Sequence, residues 1–265
     1  MTDAAIAFGP VLFVVLAVLT LFGAAVVHFG RLGQGRAVVL AAVRAVAQLA
    51  AVSLVITAIL RSGWLTGLFV LVMFSIAALT SARRIGVAVR AHWVALALGA
   101  GVVPVLGLVL AAGVVPWKPI AVVPIAGIVI GGAMSANSQA SRRALDELKA
   151  RNGEYEAALA LGFLPRPAAL EICRPSAGQA LIPALDQTRT VGLVTLPGAY
   201  VGVLLGGAGP LQAGVTQVLV LIGLLAAESV SVLVAVQLVA SGRISRSGPA
   251  PRWTWRKRPS PGQTS

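Results

Sequence analysis

The stretch E-A-A-L-A-L-G-F-L-P-R-P-A-A-L-E-I-C-R-P, from Glu156 to Pro175, decides how the chain is read, because long apolar runs flank it on both sides. Its spacing predicts a short helix, a stop, a proline-bounded corner and a second short helix. Gly162 is the stop, since glycine accepts the left-handed conformation that ends helices at little cost. Pro167 is expected to open the second helix, where its missing N–H costs nothing. The polar run R-R-A-L-D-E-L-K-A-R, Arg142 to Arg151, precedes the block, so the whole segment belongs outside a bilayer. A helical corner held there is a docking surface.

Composition sets the surroundings of that corner. The chain has 265 residues, 58% of them hydrophobic and only 11% charged, with a mean hydropathy of +0.92. That is too apolar for a soluble domain and short for two, so one integral membrane domain is expected. A net charge of +13 would suggest nucleic acid if it formed one patch on a soluble fold. The basic residues lie instead in the gaps between apolar runs, and no nucleic-acid partner is expected. One cysteine, Cys173, excludes an internal disulfide and reads as a small packing residue. The N-terminus lacks a basic n-region and is expected to be retained as a span.

Seven apolar runs are long enough to be read as spanning helices, given a hydrocarbon core about 30 Å thick and 1.5 Å of rise per residue. They cover approximately Ile6 to Val27, Val38 to Leu60, Leu65 to Ser81, Trp93 to Ala112, Ile120 to Met134, Val191 to Leu205 and Ala213 to Leu238. The fifth is expected to continue as a helix to Arg151, with Asn152-Gly153 ending it. The fold class is therefore all-α, a polytopic membrane bundle of about seven helices. Residues 1–240 form the membrane domain, with the block 135–178 projecting from it. Residues 241–265, rich in Pro, Ser and Arg, are expected to be a basic disordered tail, with Trp253 and Trp255 able to rest on headgroups.

Alternate gaps hold the cations: Arg31 and Arg36; Arg83, Arg84 and Arg90; Arg142, Arg143, Lys149, Arg151, Arg166 and Arg174; and six more in the tail. The opposite gaps hold Arg61 and Lys118 alone. The positive-inside rule then puts the C-terminus and the corner in the cytoplasm and Asp3 outside.

Here the residues carry a resemblance. Glu156, Ala157, Ala158, Gly162, Ile172 and Pro175 fall on the spacing of the cytoplasmic signature of ABC transporter permeases (E-A-A, three residues, G, nine residues, I, one residue, L-P), with Arg174 in place of the Leu. From V-P-I-A-G at Val122 to T-V-G-L-V-T-L-P-G at Gly198 the chain resembles the FetB-like permeases, associated with iron export. The resemblance implies a homodimeric permease driven by a separate cytoplasmic ABC ATPase that binds ATP and Mg. It also implies iron or another metal ion as exported cargo, in a bacterial inner membrane. A non-metal solute such as a nucleotide sugar, or a transporter or scaffold without any ATPase, is the alternative.

The residues agree that this chain burns no nucleotide itself. Nothing matches G-x-x-x-x-G-K followed by Ser or Thr: Gly127 to Gly132 has the glycine spacing, but Ala133 and Met134 follow. His28 and His92 lie in separate loops, and no H-E-x-x-H or cysteine pair appears, so no enzyme activity, catalytic residue, bound metal or cofactor is expected of this chain.

Charged groups inside a membrane are costly, so each is a functional candidate. Arg44 lies near a helix end, where it can snorkel. Asp186 and Arg189 sit three apart in D-Q-T-R, either a structural ion pair or a polar entrance to the substrate path. Glu228 lies mid-helix in the last span and shares a face with Gln217; a gating role and a hydrogen-bonded interhelical carboxyl are both open. Pro197 is expected to break or kink the sixth helix, as a moving gate or a static kink. The pairs Gly127 with Gly131 and Gly198 with Gly202 permit close helix approach, within one subunit or between two copies.

Overall fold

A computed structural model describes residues 9–59 and 62–246, and the expected headgroup contacts of Trp253 and Trp255 lie outside these residues. All described elements are helical apart from one isolated bridge between Val191 and Thr195. Six helices among the described residues are long and apolar enough to cross a membrane. They account for every predicted run except that at Val191 to Leu205.

The chain divides into two compact units. In the first, α1 (Pro10–Phe29) and α2 (Gly35–Ile59) form a hairpin. Pro10 opens α1 at the position where proline is tolerated best. In the second unit, α3 (Gly63–Ile85) stops at Gly86, whose φ of +86° is the left-handed stop. α4 (Ala91–Ala111) and α5 (Pro119–Ala150) follow. Next come α6 (Asn152–Ala160), α7 (Pro165–Gly178), α8 (Ile182–Thr190), α9 (Gly198–Leu205) and α10 (Pro210–Ala240).

α5 has 32 residues and is about 48 Å long, so it outreaches a core about 30 Å thick and carries its polar end into water. It ends at Arg151 as expected, although Asn152-Gly153 begin α6 at once instead of forming a separate turn. Ala126, Ala133, Ala136, Ala140 and Ala144 run down its inner face at 2% exposure or less. Such small side chains let neighbouring helices approach closely, which is how packing energy is gained where lipid is as apolar as the protein. α10 lies against this face and against α4, and α3 packs on α5 as well.

Two ends of the second unit are identifiable from their contacts. At one end Arg90 donates to the carbonyls of Gly242 (2.8 Å) and Arg243 (3.0 Å), and Arg246 donates to that of Ile85 (3.1 Å) and pairs with Asp146. The α3–α4 gap, the far half of α5 and the residues after α10 therefore meet there, as the distribution of cations requires. Ile244 is fully buried at this end, so the packed body continues to Arg246, past the boundary read at residue 240. At the other end, the α4–α5 loop, the start of α5, α9 and the start of α10 surround one cavity.

The chain must travel between these ends after α7, because Gln179 bonds Arg143 at the first end and Gly198 lines the cavity at the second. It does so through α8, a non-helical stretch and α9. The sixth span is thus a broken crossing, not a helix over Val191 to Leu205: Gly192 takes φ +82°, its N–H bonds the Thr195 carbonyl at 2.9 Å, and only Gly198–Leu205 is helical. Counted with the six long helices, it gives a polytopic bundle of about seven passages.

Candidate functional site

The corner between α6 and α7 is built by local rules. Gly162 takes φ +92° and donates to the Leu159 carbonyl (3.0 Å), and the Phe163 N–H reaches back to that of Ala158 (3.0 Å). This pair of bonds is the Schellman closure that left-handed glycines make. Leu164 is extended because a proline follows it, and Pro165 takes the first helical position. Pro165, not Pro167, opens the helix, since both prolines fit a first turn and the earlier one is reached first.

α7 then turns Ala168, Ala169, Ile172 and Cys173 inward, all at 5% exposure or less, into a cluster with Ala140, Ala144, Val236 and Val239. Burial pushes the Cys173 thiol up to about 11, consistent with its reading as a packing residue. Arg166 ties the outer face to α10 through Gln237 (2.6 Å). On the α6 side, Arg151 pairs with Glu147 (3.5 Å) and Glu154, and the Arg151 guanidinium holds the Glu154 carboxyl below its ordinary range.

The six signature residues divide by direction. Ile172 is an anchor in the core, while Glu156, Ala157, Gly162 and Pro175 are exposed and Ala158 is half-buried. Asn152 donates to Glu156 at 2.9 Å. Arg174 is exposed as well. Leu161 (80% exposed), Phe163 (54%) and Leu164 (72%) stand out at the tip, a feature the spacing alone did not reveal. These three large apolar side chains are exposed within four residues of one another, soon after the polar run Arg142 to Arg151.

The residues expected along a substrate path are not brought together. Glu228 is 7% exposed within the bundle, and Gln217 on the same face of α10 is 4% exposed, about 16 Å away along the axis. Gly132 makes room for the carboxylate: a Cβ there would lie 2.5 Å from Glu228 Oε1. Asp186 and Arg189 form the expected i,i+3 pair (3.8 Å), but both side chains are largely exposed on α8. Pro197 caps the start of α9 and kinks no continuous helix.

One interior feature went unread. Asn137 donates to Ser231 (3.1 Å) and accepts from Ser81 (3.3 Å), and Ser138 lies 2.9 Å from Ser81, joining α3, α5 and α10. The signal was available in the sequence, because Ala133, Asn137 and Ser141 follow one another at intervals of four on the buried face of α5. Replacing Asn137 with Ala removes two interhelical hydrogen bonds, each worth about 0.6 kcal/mol on average in membranes, and should cost about 1 kcal/mol. Thermal unfolding in detergent, compared with the exposed substitution Gln187→Ala, measures it, and equal melting temperatures would remove the network's structural role.

The cavity at the other end has a volume of about 1180 Å³. Its wall includes Pro116, Ile120, Pro124, Gly198, Gly202 and Leu211, and Gln212 and Thr216 are its polar side chains. No charged side chain among the described residues lines it. Among the described residues no group of three or more His, Cys, Asp or Glu is placed to hold a metal ion. Of the glycines read from their spacing, Gly127 makes a close approach, a Cβ there lying 3.2 Å from the Met73 methyl on α3, while Gly131, Gly198 and Gly202 face open space; the tightest approaches between helices are at Gly101 and Gly132.

A family model described as "Uncharacterised protein family (UPF0014)" matches residues 10–243. The "UPF0014 membrane protein STAR2" of Oryza sativa subsp. japonica is 34% identical over 212 residues, 78% of this chain and 74% of the rice protein. "Protein ALUMINUM SENSITIVE 3" of Arabidopsis thaliana is 36% identical over 179 residues, 67% of this chain and 65% of that protein. The "Probable iron export permease protein FetB" of Escherichia coli K12 is 32% identical over 156 residues, 59% of this chain and 60% of that protein. No solved structure matches the chain.

Proposed function

The chain belongs to the UPF0014 family of multi-pass membrane proteins, and from that premise we propose that it is the permease subunit of an ATP-driven transporter in a bacterial cell membrane. A separate cytoplasmic ATPase, with its own ATP and Mg, docks on the α6–α7 corner, and two copies of the chain enclose the path. The observation that carries this reading is the exposed L-G-F-L tip, Leu161 to Leu164, rigidly seated by the buried face of α7. A push on that corner reaches α5 and α10 through Ile172 and Cys173, and so reaches Glu228.

Iron or another metal ion leaving the cell is the first cargo to test, because one bacterial relative is named a probable iron export permease. Oxygen donors suit such hard ions, and Glu228 is the buried carboxylate available in the second unit's core. A second reading, an organic solute, is favoured by the uncharged wall of the outer cavity. ATP-dependent uptake of radiolabelled iron into inverted vesicles holding this chain and its ATPase decides between them. Iron accumulation that falls at least tenfold in Glu228→Gln, with ATPase binding intact, is the expected result. ATPase stimulation without any metal uptake would end the metal assignment, and unchanged rates in the variant would return Glu228 to packing.

A further inference from the structure

We propose that the mouth of the α1–α2 hairpin binds the phosphate headgroup of an anionic phospholipid. Between Ala4 and Leu145 the sequence contains no Asp or Glu, so the basic residues of this stretch have no acid close to them along the chain. The hairpin holds His28, Arg31, Arg36 and Arg44, and no ion pair among the described residues involves any of them. Positive charge at the edge of a bilayer is attracted to its anionic headgroups.

The shape fits that counterion. A cavity of about 650 Å³ opens between the two helices, with Leu21, Ala24 and Val39 on its apolar wall and His28, Arg31 and Arg36 around its mouth. Gly35, the first residue of the 25-residue α2, is on the same wall and brings the positive end of that helix to the site. An apolar wall continuing from a cationic mouth matches an acyl chain continuing from a phosphate, whereas free phosphate would use the mouth alone. The distribution of cations along the chain puts this mouth on the cytoplasmic leaflet, where basic pockets between helices meet anionic lipid.

Arg31 adds a local observation. It takes φ +53°, the left-handed position after a helix where glycine is the usual occupant, so the arginine sits there at a backbone cost that glycine would not have.

The test uses the full chain, purified in detergent and given phosphatidylglycerol or phosphatidylcholine at equal mole fraction, with retained lipid counted by native mass spectrometry. Wild type should retain phosphatidylglycerol about tenfold over phosphatidylcholine, as expected for cations acting on an anionic headgroup. The double variant Arg31→Gln with Arg36→Gln should lose that preference, and Arg44→Gln, a turn or more from the mouth, should keep it. Arg31→Gly should lower retention while its melting temperature in lipid-free detergent holds or rises, which separates lost binding from lost folding. Equal retention of both lipids by wild type, or an undiminished preference in the double variant, overturns the proposal. So does displacement of the lipid by millimolar inorganic phosphate, which would make the site one for a free ion.

Discussion

A Gly162→Pro variant is expected to insert, fold and lose binding of the proposed ATPase. Gly162 sits at φ +92°, and proline is confined near −65°, so the two hydrogen bonds that close α6 cannot both form and the corner must change its angle. The damage stays local, since Ile172, Cys173 and Ala169 hold α7 against the bundle without help from the tip. A companion variant leaves the backbone alone: Leu161→Asp with Leu164→Asp replaces side chains that are 80% and 72% exposed and should not change stability. At a docked interface each lost apolar anchor costs about 1.5–3 kcal/mol, and 1.4 kcal/mol is tenfold in affinity. Binding should therefore fall by about a hundredfold or more, measured by co-purification of the ATPase and by stimulation of its turnover. Wild-type yields of ATPase with the double Asp variant would remove the corner as the docking site. Orientation has its own check: a cysteine placed at Leu161 should react with an impermeant maleimide only from the cytosolic side, Cys173 being too buried to compete. Labelling from outside would sink the whole reading.

What the sequence disclosed follows from which physical quantity each feature depends on. The spans were readable because apolar length is a local property, and Gly162 was readable because one residue type dominates one backbone conformation. The shared burial of Gln217 and Glu228 followed from helical spacing, since eleven residues are close to three turns. The sixth span was misread for the same reason that the others were found: V-G-L-V-T-L-P-G is apolar, and hydropathy does not register that Gly192 turns to φ +82° and that the helix starts only after Pro197. Glycine spacing named Gly131 where the contact is at Gly132, because one step along a helix rotates the missing side chain by about 100° and only the neighbour's position says which rotation matters. The packing of Ile244 beneath the α3–α4 gap was out of reach, depending on residues about 160 positions away.

That neighbour dependence leads to the largest stability effect expected in the molecule, that of Gly101→Ala. A Cβ on Gly101 would lie 2.1 Å from the Ala227 carbonyl oxygen, 3.0 Å from its carbon and 3.1 Å from the Ser231 nitrogen. All three are backbone atoms of α10, so no rotamer change relieves the clash and α4 must move away. Moving it opens the contact that Val94, Leu98 and Val102 bury, and overpacking of this kind costs about 1–3 kcal/mol and sometimes more. At Gly132 the added methyl meets the side chains of Leu224 (2.3 Å) and Glu228 (2.5 Å), which can rotate, so Gly132→Ala should melt closer to wild type. Because it displaces Glu228, it should nevertheless lower transport. Gly107, inside the same helix as Gly101, faces open space, and Gly107→Ala should be neutral or slightly stabilising from its better helix propensity. Thermal unfolding of the three variants in one detergent should rank Gly101→Ala lowest by several degrees. If Gly101→Ala melted with Gly107→Ala, α4 and α10 would not touch as described.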